Sequence, residues 1–276
     1  MKPNPYELVW ARSFSRDGLW LLAALLQVPA PVGLEGPAVS STPEDAEAQV
    51  TQSLQMLVEQ AMLEVNSEGD LALEADLVAL IEAATLAEQT LVVSCTDSDH
   101  TSRLRYAHLT TELIVEQETL PDGQVTLTAV RDAETLTQRL AEFIGLAEAP
   151  TAPGPAVELS QADLAAAREL AGVGDVAACR AHLRYTGIPA AVAVALAETL
   201  VGGHAISAVL LRREATETHV GESLAWLAGR AGVWNALPAV GESGQVRIRL
   251  APATTAEVHD QIKRVFLHEE HERREG

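Results

Sequence analysis

The chain has 276 residues, of which 47% are hydrophobic and 21% are charged, a composition typical of a folded globular protein. Its 39 Asp and Glu residues outnumber its 19 Lys and Arg residues, so the formal net charge is −20 at pH 7. This charge argues against nucleic acid and anionic membranes as partners, because both are bound by a surplus of basic side chains.

Three further features of the sequence predict a cytoplasmic protein. The two cysteines, Cys95 and Cys179, are too few and too far apart for a disulfide framework, which favours reduced thiols. No basic segment leads into an apolar run at the N-terminus. The longest apolar run, from Leu19 to Val28, is shorter than the about 20 residues that span a bilayer.

The first half of the chain combines helical signals with strand signals. Residues 1–14 are predicted to be extended or irregular, and Ser15 starts a short helix that ends before Pro29. Thr42 to Asp45 start a long helix, because they offer a cap residue, a proline and early acidic residues. The elements predicted after it are a strand at 71–73, a helix at 75–87, antiparallel strands at 90–96, 103–110, 113–120 and from 124, and a helix at 132–144.

The second half repeats this order after a linker that contains three prolines. Three helices come first, and Ser160 with Asp163 forms the capping box of the first one. Strands follow at 204–212, 224–228 and 233–237 and from 245, although residues 223–228 also suit a helix. A helix from Thr254 closes the half. The predicted domains are an N-terminal half (1–146), a linker (147–156), a C-terminal half (157–268) and a frayed tail (269–276).

Two long stretches, Asp122 to Ile144 and Ser243 to Phe266, match each other closely enough to indicate an internal duplication. Each has a turn glycine, a strand with alternating apolar residues and a helix with apolar residues at helical spacing. We therefore predict an α+β fold of two halves related by a pseudo-two-fold axis, each made of helices, an antiparallel meander and a helix. The two meanders either share one sheet or pack face to face. Leu140 and Ile262 are expected to be buried in equivalent helices.

One motif suggests a hydrolase. Gly221-Glu-Ser223-Leu-Ala225 is similar to the turn that presents a nucleophilic serine, and His259 follows downstream. That turn must join a strand of a parallel sheet to a helix, whereas the strands around Ser223 are predicted to be antiparallel. A serine hydrolase that uses Ser223 is therefore the less favoured alternative.

Two other motifs indicate ordinary structure. Gly172-Val-Gly174 is similar to a dinucleotide-binding loop, but a helix precedes it, which indicates a turn between helices. His268 and His271 lie one helical turn apart, yet no third zinc ligand accompanies them at this charged terminus.

The remaining candidates also favour a structural interpretation. Cys95 and Cys179 have no neighbours that would mark them as nucleophiles, and Trp226 and Trp234 flank a turn and are expected in the core. The helix and strands of residues 43–96 suit a winged helix, but residues 74–88 contain no Arg or Lys to contact DNA. No catalytic, cofactor-binding or metal-binding residue is predicted, and no residue is assigned to partner binding.

The order of the elements resembles that of the EspG family, the cytosolic chaperones of type VII secretion. The matching pieces are the helix at Leu19–Leu26, the strand that starts at Asp122 with its helix containing Leu136, Leu140 and Phe143, and Leu224-Ala-Trp226 leading to Gly229-Arg230. The resemblance covers nearly the whole chain. It implies a pseudo-two-fold α+β fold, no catalysis, and binding of a secreted helical protein pair by its apolar tip.

We therefore predict a non-enzymatic cytoplasmic adaptor or chaperone that binds another protein, with the resemblance implying a type VII-like secretion substrate as its client. No cofactor is expected. A chaperone should expose a contiguous apolar patch of several hundred Å². The alternative from a different class is a small-molecule sensor or carrier with a pocket between the two halves.

Overall fold

The computed structural model describes residues 10–34, 36, 42–66, 70–146, 149–214, 217–241 and 245–275, with the backbone alone at Val65 and from 266 onward. The first half of the described chain contains β1 (Trp10–Phe14), α1 (Arg16–Leu25), α2 (Pro43–Glu59), β2 (Leu63–Val65), β3 (Leu71–Leu73), α3 (Ala75–Leu86), β4 (Gln89–Thr96), β5 (Ser102–Leu109), β6 (Ile114–Thr119), β7 (Val125–Val130) and α4 (Ala133–Phe143).

The second half contains β8 (Val157–Ser160), α5 (Gln161–Gly172), α6 (Val176–Tyr185), α7 (Ala190–Leu200), β9 (His204–Glu214), β10 (Glu217–Gly229), β11 (Gly232–Val240), β12 (Val246–Ala253) and α8 (Thr255–Glu275). Residues 223–228 belong to strand β10, so the helical alternative for them is wrong. The backbone of α8 is helical through Glu275, within the segment that the sequence predicts to fray.

Ten strands form one sheet in the order β1-β7-β6-β5-β4-β9-β10-β11-β12-β8, and β2 pairs with β3 separately. Neighbouring strands of each meander are antiparallel, as predicted. Both halves place their first strand beside their last one, since β1 pairs with β7 and β8 pairs with β12. The α+β class is confirmed, and the meanders share one sheet. The pseudo-two-fold relation between the halves stays a prediction.

The chain divides into two compact units that are not contiguous in sequence. Unit 1 consists of Met1–Leu91, Arg105–Leu136 and Leu211–His219, and unit 2 consists of Val92–Leu104, Thr137–Leu210 and Val220–Gly276. The tip of the β4–β5 hairpin thus belongs to unit 2, and the tip of the β9–β10 hairpin belongs to unit 1. The predicted boundary at 147–156 differs from this division and stays a prediction.

The described part of the predicted linker, residues 149–156, is mostly exposed but anchored to unit 2. The backbone N–H of Val233 donates to the carbonyl of Pro150 at 3.2 Å, and Ala152 is buried. A Cβ on Gly232 would lie 2.3 Å from the Cα of Ala152, so only glycine permits this close approach.

Unit 1 has a core between helices α1 to α3 and one face of the sheet. The helices start where the sequence predicts, because the Ser15 hydroxyl accepts from the Gly18 N–H at 3.0 Å and the Thr42 hydroxyl accepts from the Asp45 N–H at 3.1 Å. The buried side chains of this core are apolar and include Phe14, Leu19, Leu22, Leu57, Leu77, Leu80, Ile81, Val115, Val125 and Leu127.

Unit 2 has helices against both faces of its strands. Trp234, fully buried, packs with Leu196 and other residues of α5 to α7. Trp226 lies opposite Asn235, the neighbour of Trp234, so the two tryptophans occupy opposite faces. The indole N–H of Trp226 donates to the Gln261 side chain of α8 at 2.8 Å. Both tryptophans are core residues, as predicted.

A chain of buried polar groups lies beneath the surface of unit 1. The imidazole of His108 is fully buried and is bonded to the Thr90 hydroxyl through Nδ1 at 3.2 Å and to Gln117 Oε1 through Nε2 at 3.0 Å. The Gln117 amide nitrogen donates to the carbonyl of Val32 at 3.2 Å, which orients its oxygen toward His108. Because an amide oxygen can only accept, Nε2 of His108 carries a proton and donates it to Gln117.

We predict that His108 makes stability depend on acid pH. Burial lowers the pKa of His108 from 6.5 to about 4. The unfolded chain therefore binds a proton that the folded chain excludes between these values, and stability falls as the pH decreases from about 6.5 to about 4. The complete loss of unfolding free energy across this pH range is about 3 kcal/mol.

Urea unfolding measured from pH 7.5 to pH 4 checks this expectation. His108→Gln should weaken the dependence of the unfolding free energy on pH, whereas His219→Gln, at a partly exposed position in β10, should retain it. If the unfolding free energy of His108→Gln depended on pH as strongly as that of the unaltered chain, His108 would not be the source of the pH dependence.

Candidate protein-binding surface

The end of the β11–β12 hairpin exposes apolar side chains. Val240 and Val246 are paired across the hairpin and are 77% and 69% exposed, and Leu237 is 40% exposed. Ala239 lies between Leu237 and Val240 and is partly exposed. We call Leu237, Ala239, Val240 and Val246 the hairpin-tip surface.

The register of the strands explains why these residues are apolar and yet exposed. Alternate residues of a strand share a face, so Val240 continues the face that carries Trp234 and Ala236 in the core of unit 2. Its partner Val246 continues the face that carries Ile248 and Leu250. Ala236 and Ile248 are only partly buried, and the two valines, which lie nearer the end of the hairpin, are exposed.

Two arginines of β12 lie on the face of the hairpin that carries Leu237 and Ala239, opposite to the face of Val240 and Val246. Arg247 lies opposite Ala239 and donates to the carbonyl of Glu158 at 3.2 Å. Arg249 lies opposite Leu237 and makes no hydrogen bond or ion pair within the described part of the chain.

The structure does not assemble the hydrolase site. Ser223 is exposed in the middle of the antiparallel strand β10, so it does not occupy a turn between a strand and a helix. The geometry that a serine nucleophile requires is absent at this position.

The other sequence motifs have structural roles where they are described. Gly172 ends α5 and Gly174 has a φ of +78°, so they form the predicted turn between helices. The side chains of His268 and His271 lie outside the described residues. Both cysteines are buried, and burial raises the pKa of each thiol, to about 11 for Cys179.

A search of the described helices finds none that is both long and apolar enough to cross a membrane.

The fold is α+β, and the end of the β11–β12 hairpin exposes apolar side chains. The chain belongs to the EspG family, whose sequence model matches residues 15–264. The resemblance inferred from the order of the elements is thus confirmed. No sequence among curated proteins matches this chain.

A solved structure shows the same fold. It is the structure of the Mycobacterium tuberculosis type VII secretion system chaperone EspG5 in complex with a PE25–PPE41 dimer. The match has a TM-score of 0.65 at 15% sequence identity and covers 94% of this chain and 96% of that chain. At this identity the similarity establishes the fold, and the function requires a separate argument.

Proposed function

We propose that this protein is a cytoplasmic, non-enzymatic chaperone that binds a secreted helical protein pair of a type VII secretion system. The observation that carries the proposal is membership of the EspG family over residues 15–264. The similar fold of a structure that contains the chaperone EspG5 with a PE25–PPE41 dimer supports it.

The hairpin-tip surface is our candidate for the client-binding site. Exposed apolar side chains lose contact with water when a partner covers them, and full burial of a Val or Leu side chain contributes about 1.5–3 kcal/mol. The end of the hairpin exposes Val240 and Val246 on one face and Leu237 on the other. Arg249 lies on the face of Leu237, between Leu237 of β11 and Glu158 of β8. An apolar helical tip with acidic neighbours would complement these groups.

We expect the double variant Leu237→Asp/Val240→Asp to bind its client about 100-fold more weakly than the unaltered chain, which corresponds to about 3 kcal/mol. The change removes two apolar contacts and places carboxylates where the client is proposed to bind. Because both positions are exposed, the melting temperature should change little. The client is first identified by pull-down from the native host with mass spectrometry, and the affinity is then measured by calorimetry.

The control is the double variant Val50→Asp/Val58→Asp, which introduces the same two charges at positions of α2 in unit 1 that are 47% and 42% exposed. It should leave the affinity unchanged. Recovery of no stoichiometric helical partner would contradict the proposed function. A partner that binds the Leu237→Asp/Val240→Asp variant normally would contradict the location of the site alone.

We also expect a fluorophosphonate probe to leave the protein unlabelled, because Ser223 lies in a strand without the geometry of a nucleophile. Incubation of the native protein with the probe, followed by intact mass measurement, provides the test. Covalent labelling that disappears in Ser223→Ala would overturn the non-enzymatic assignment.

A further inference from the structure

Three potential metal ligands from neighbouring strands lie together in unit 2. Cys95 lies in β4, and Asp97 directly follows that strand. His204 begins β9, the neighbour of β4 in the sheet. One ligand atom from each of the three side chains lies within 4.8 Å of the other two.

The surrounding structure holds these groups in place. The hydroxyls of Ser94 and Ser207 are hydrogen-bonded at 2.7 Å and join β4 to β9 near the cluster. The Asp97 N–H donates to the carbonyl of Thr101 at 3.0 Å, which closes the turn after β4. A site that combines strand residues with a closed turn needs little rearrangement to bind an ion.

Without a metal, the three groups have other contacts. His204 Nδ1 lies 2.7 Å from Asp97 Oδ1, and the Cys95 sulfur lies 3.6 Å from an Arg103 guanidinium nitrogen. Cys95 is fully buried, whereas the side chains of Asp97 and His204 are 34% and 33% exposed. The cluster can therefore be approached from the side of the carboxylate and the imidazole.

We propose that Cys95 Sγ, a carboxylate oxygen of Asp97 and a ring nitrogen of His204 bind one Zn²⁺ ion, with water as the fourth ligand. These are the three ligand types that zinc takes in proteins, and three protein ligands with one water is a common open arrangement. Ligand atoms at about 2.0–2.3 Å from a tetrahedral ion lie about 3.3–3.8 Å apart. The three atoms lie within 4.8 Å of one another, so they must move closer by up to about 1 Å when the ion binds. Binding displaces the thiol proton to solvent and replaces the bond between Asp97 and His204.

The fourth ligand position would face a cleft beside His204. Ser98, His100, Arg168 and Gly203 line this cleft together with His204. Water therefore has access to the ion, and Arg168, which makes no ion pair with any described residue, can attract an anionic group to it.

Variants of the proposed ligands provide a direct test, because each removes one ligand atom. We expect Cys95→Ser and His204→Asn to bind zinc at least about tenfold more weakly than the unaltered chain, since even outer contacts of a zinc site contribute 10–100-fold.

The experiment uses the full chain without an affinity tag, stripped with a chelator. Co²⁺ replaces Zn²⁺ as a spectroscopic probe, because a thiolate ligand produces a near-ultraviolet charge-transfer band. Zinc affinity follows from competition with a chromophoric chelator. Circular dichroism confirms that each variant is folded, and His204→Asn keeps the test valid if Cys95→Ser fails to fold.

Two controls separate this cluster from other histidines. His182→Asn removes a histidine of α6 that contacts the carbonyl of Asp163 and should leave the affinity unchanged. The double variant His268→Ala/His271→Ala removes the pair at the C-terminus and should also retain one zinc equivalent. Loss of zinc binding in that double variant, or a Co²⁺ complex without a thiolate band, would overturn the proposal.

Discussion

Gly203→Ala is expected to destabilise the protein by about 4–5 kcal/mol, at the upper end for a single substitution. A Cβ at this position would lie 1.9 Å from the carbonyl oxygen of Thr199 and 2.6 Å from that of Ala228. Both oxygens belong to the backbone, so neither can rotate away. The end of α7 and the end of β10 would have to separate, which would open the core around Trp234.

The neighbouring glycine provides a matched control. Gly202 has a φ of +69°, and no heavy atom lies within 4 Å of the place of its Cβ. Gly202→Asn should therefore cost little, because asparagine tolerates the left-handed conformation. Urea unfolding of both variants gives the comparison. A cost below about 1 kcal/mol for Gly203→Ala would show that the contact with Thr199 can relax.

Leu140→Ala and Ile262→Ala should each destabilise the protein by about 2–5 kcal/mol and to a similar extent. Both side chains are fully buried, Leu140 in α4 and Ile262 in α8, as the sequence predicts. Each truncation removes apolar contacts and leaves a cavity in a packed core.

Val173→Ala is the control for these truncations, because Val173 is 80% exposed at the end of α5. This substitution should lower the unfolding free energy by less than about 0.5 kcal/mol. Chemical unfolding, analysed with one common dependence on denaturant concentration, gives the change in unfolding free energy for all three variants. If Leu140→Ala and Ile262→Ala lowered the unfolding free energy by strongly different amounts, the inference that their helices are equivalent would be weakened. Superposition of the two halves in an experimental structure tests the duplication itself.

The elements predicted well from sequence are those with strong local signals. Helices α1, α2 and α5 begin at the predicted cap residues Ser15, Thr42 and Ser160, whose hydroxyls accept backbone N–H groups three residues later. The strands of both meanders were found from their alternation and turns. These signals lie within a few residues of one another, so they can be read without knowing the fold.

Strands β1 and β8 were missed as members of the sheet for a physical reason. They contain only five and four residues, and each pairs with the last strand of its own half, far away in sequence. Their pairing depends on contacts between residues that are distant in sequence, and short edge strands carry little periodic signal.

Residue spacing in the sequence predicts the α+β class, the order of most helices and strands and the burial of Leu140 and Ile262, because a helix or a strand places residues on a face at a fixed period. The resemblance to the EspG family rests on the order of those elements. The proximity of Cys95 to His204 is visible only in the folded chain, since their strands are adjacent in the sheet but distant in sequence. The exposure of Val240 and Val246 is likewise visible only there, because it depends on which residues the rest of the chain covers.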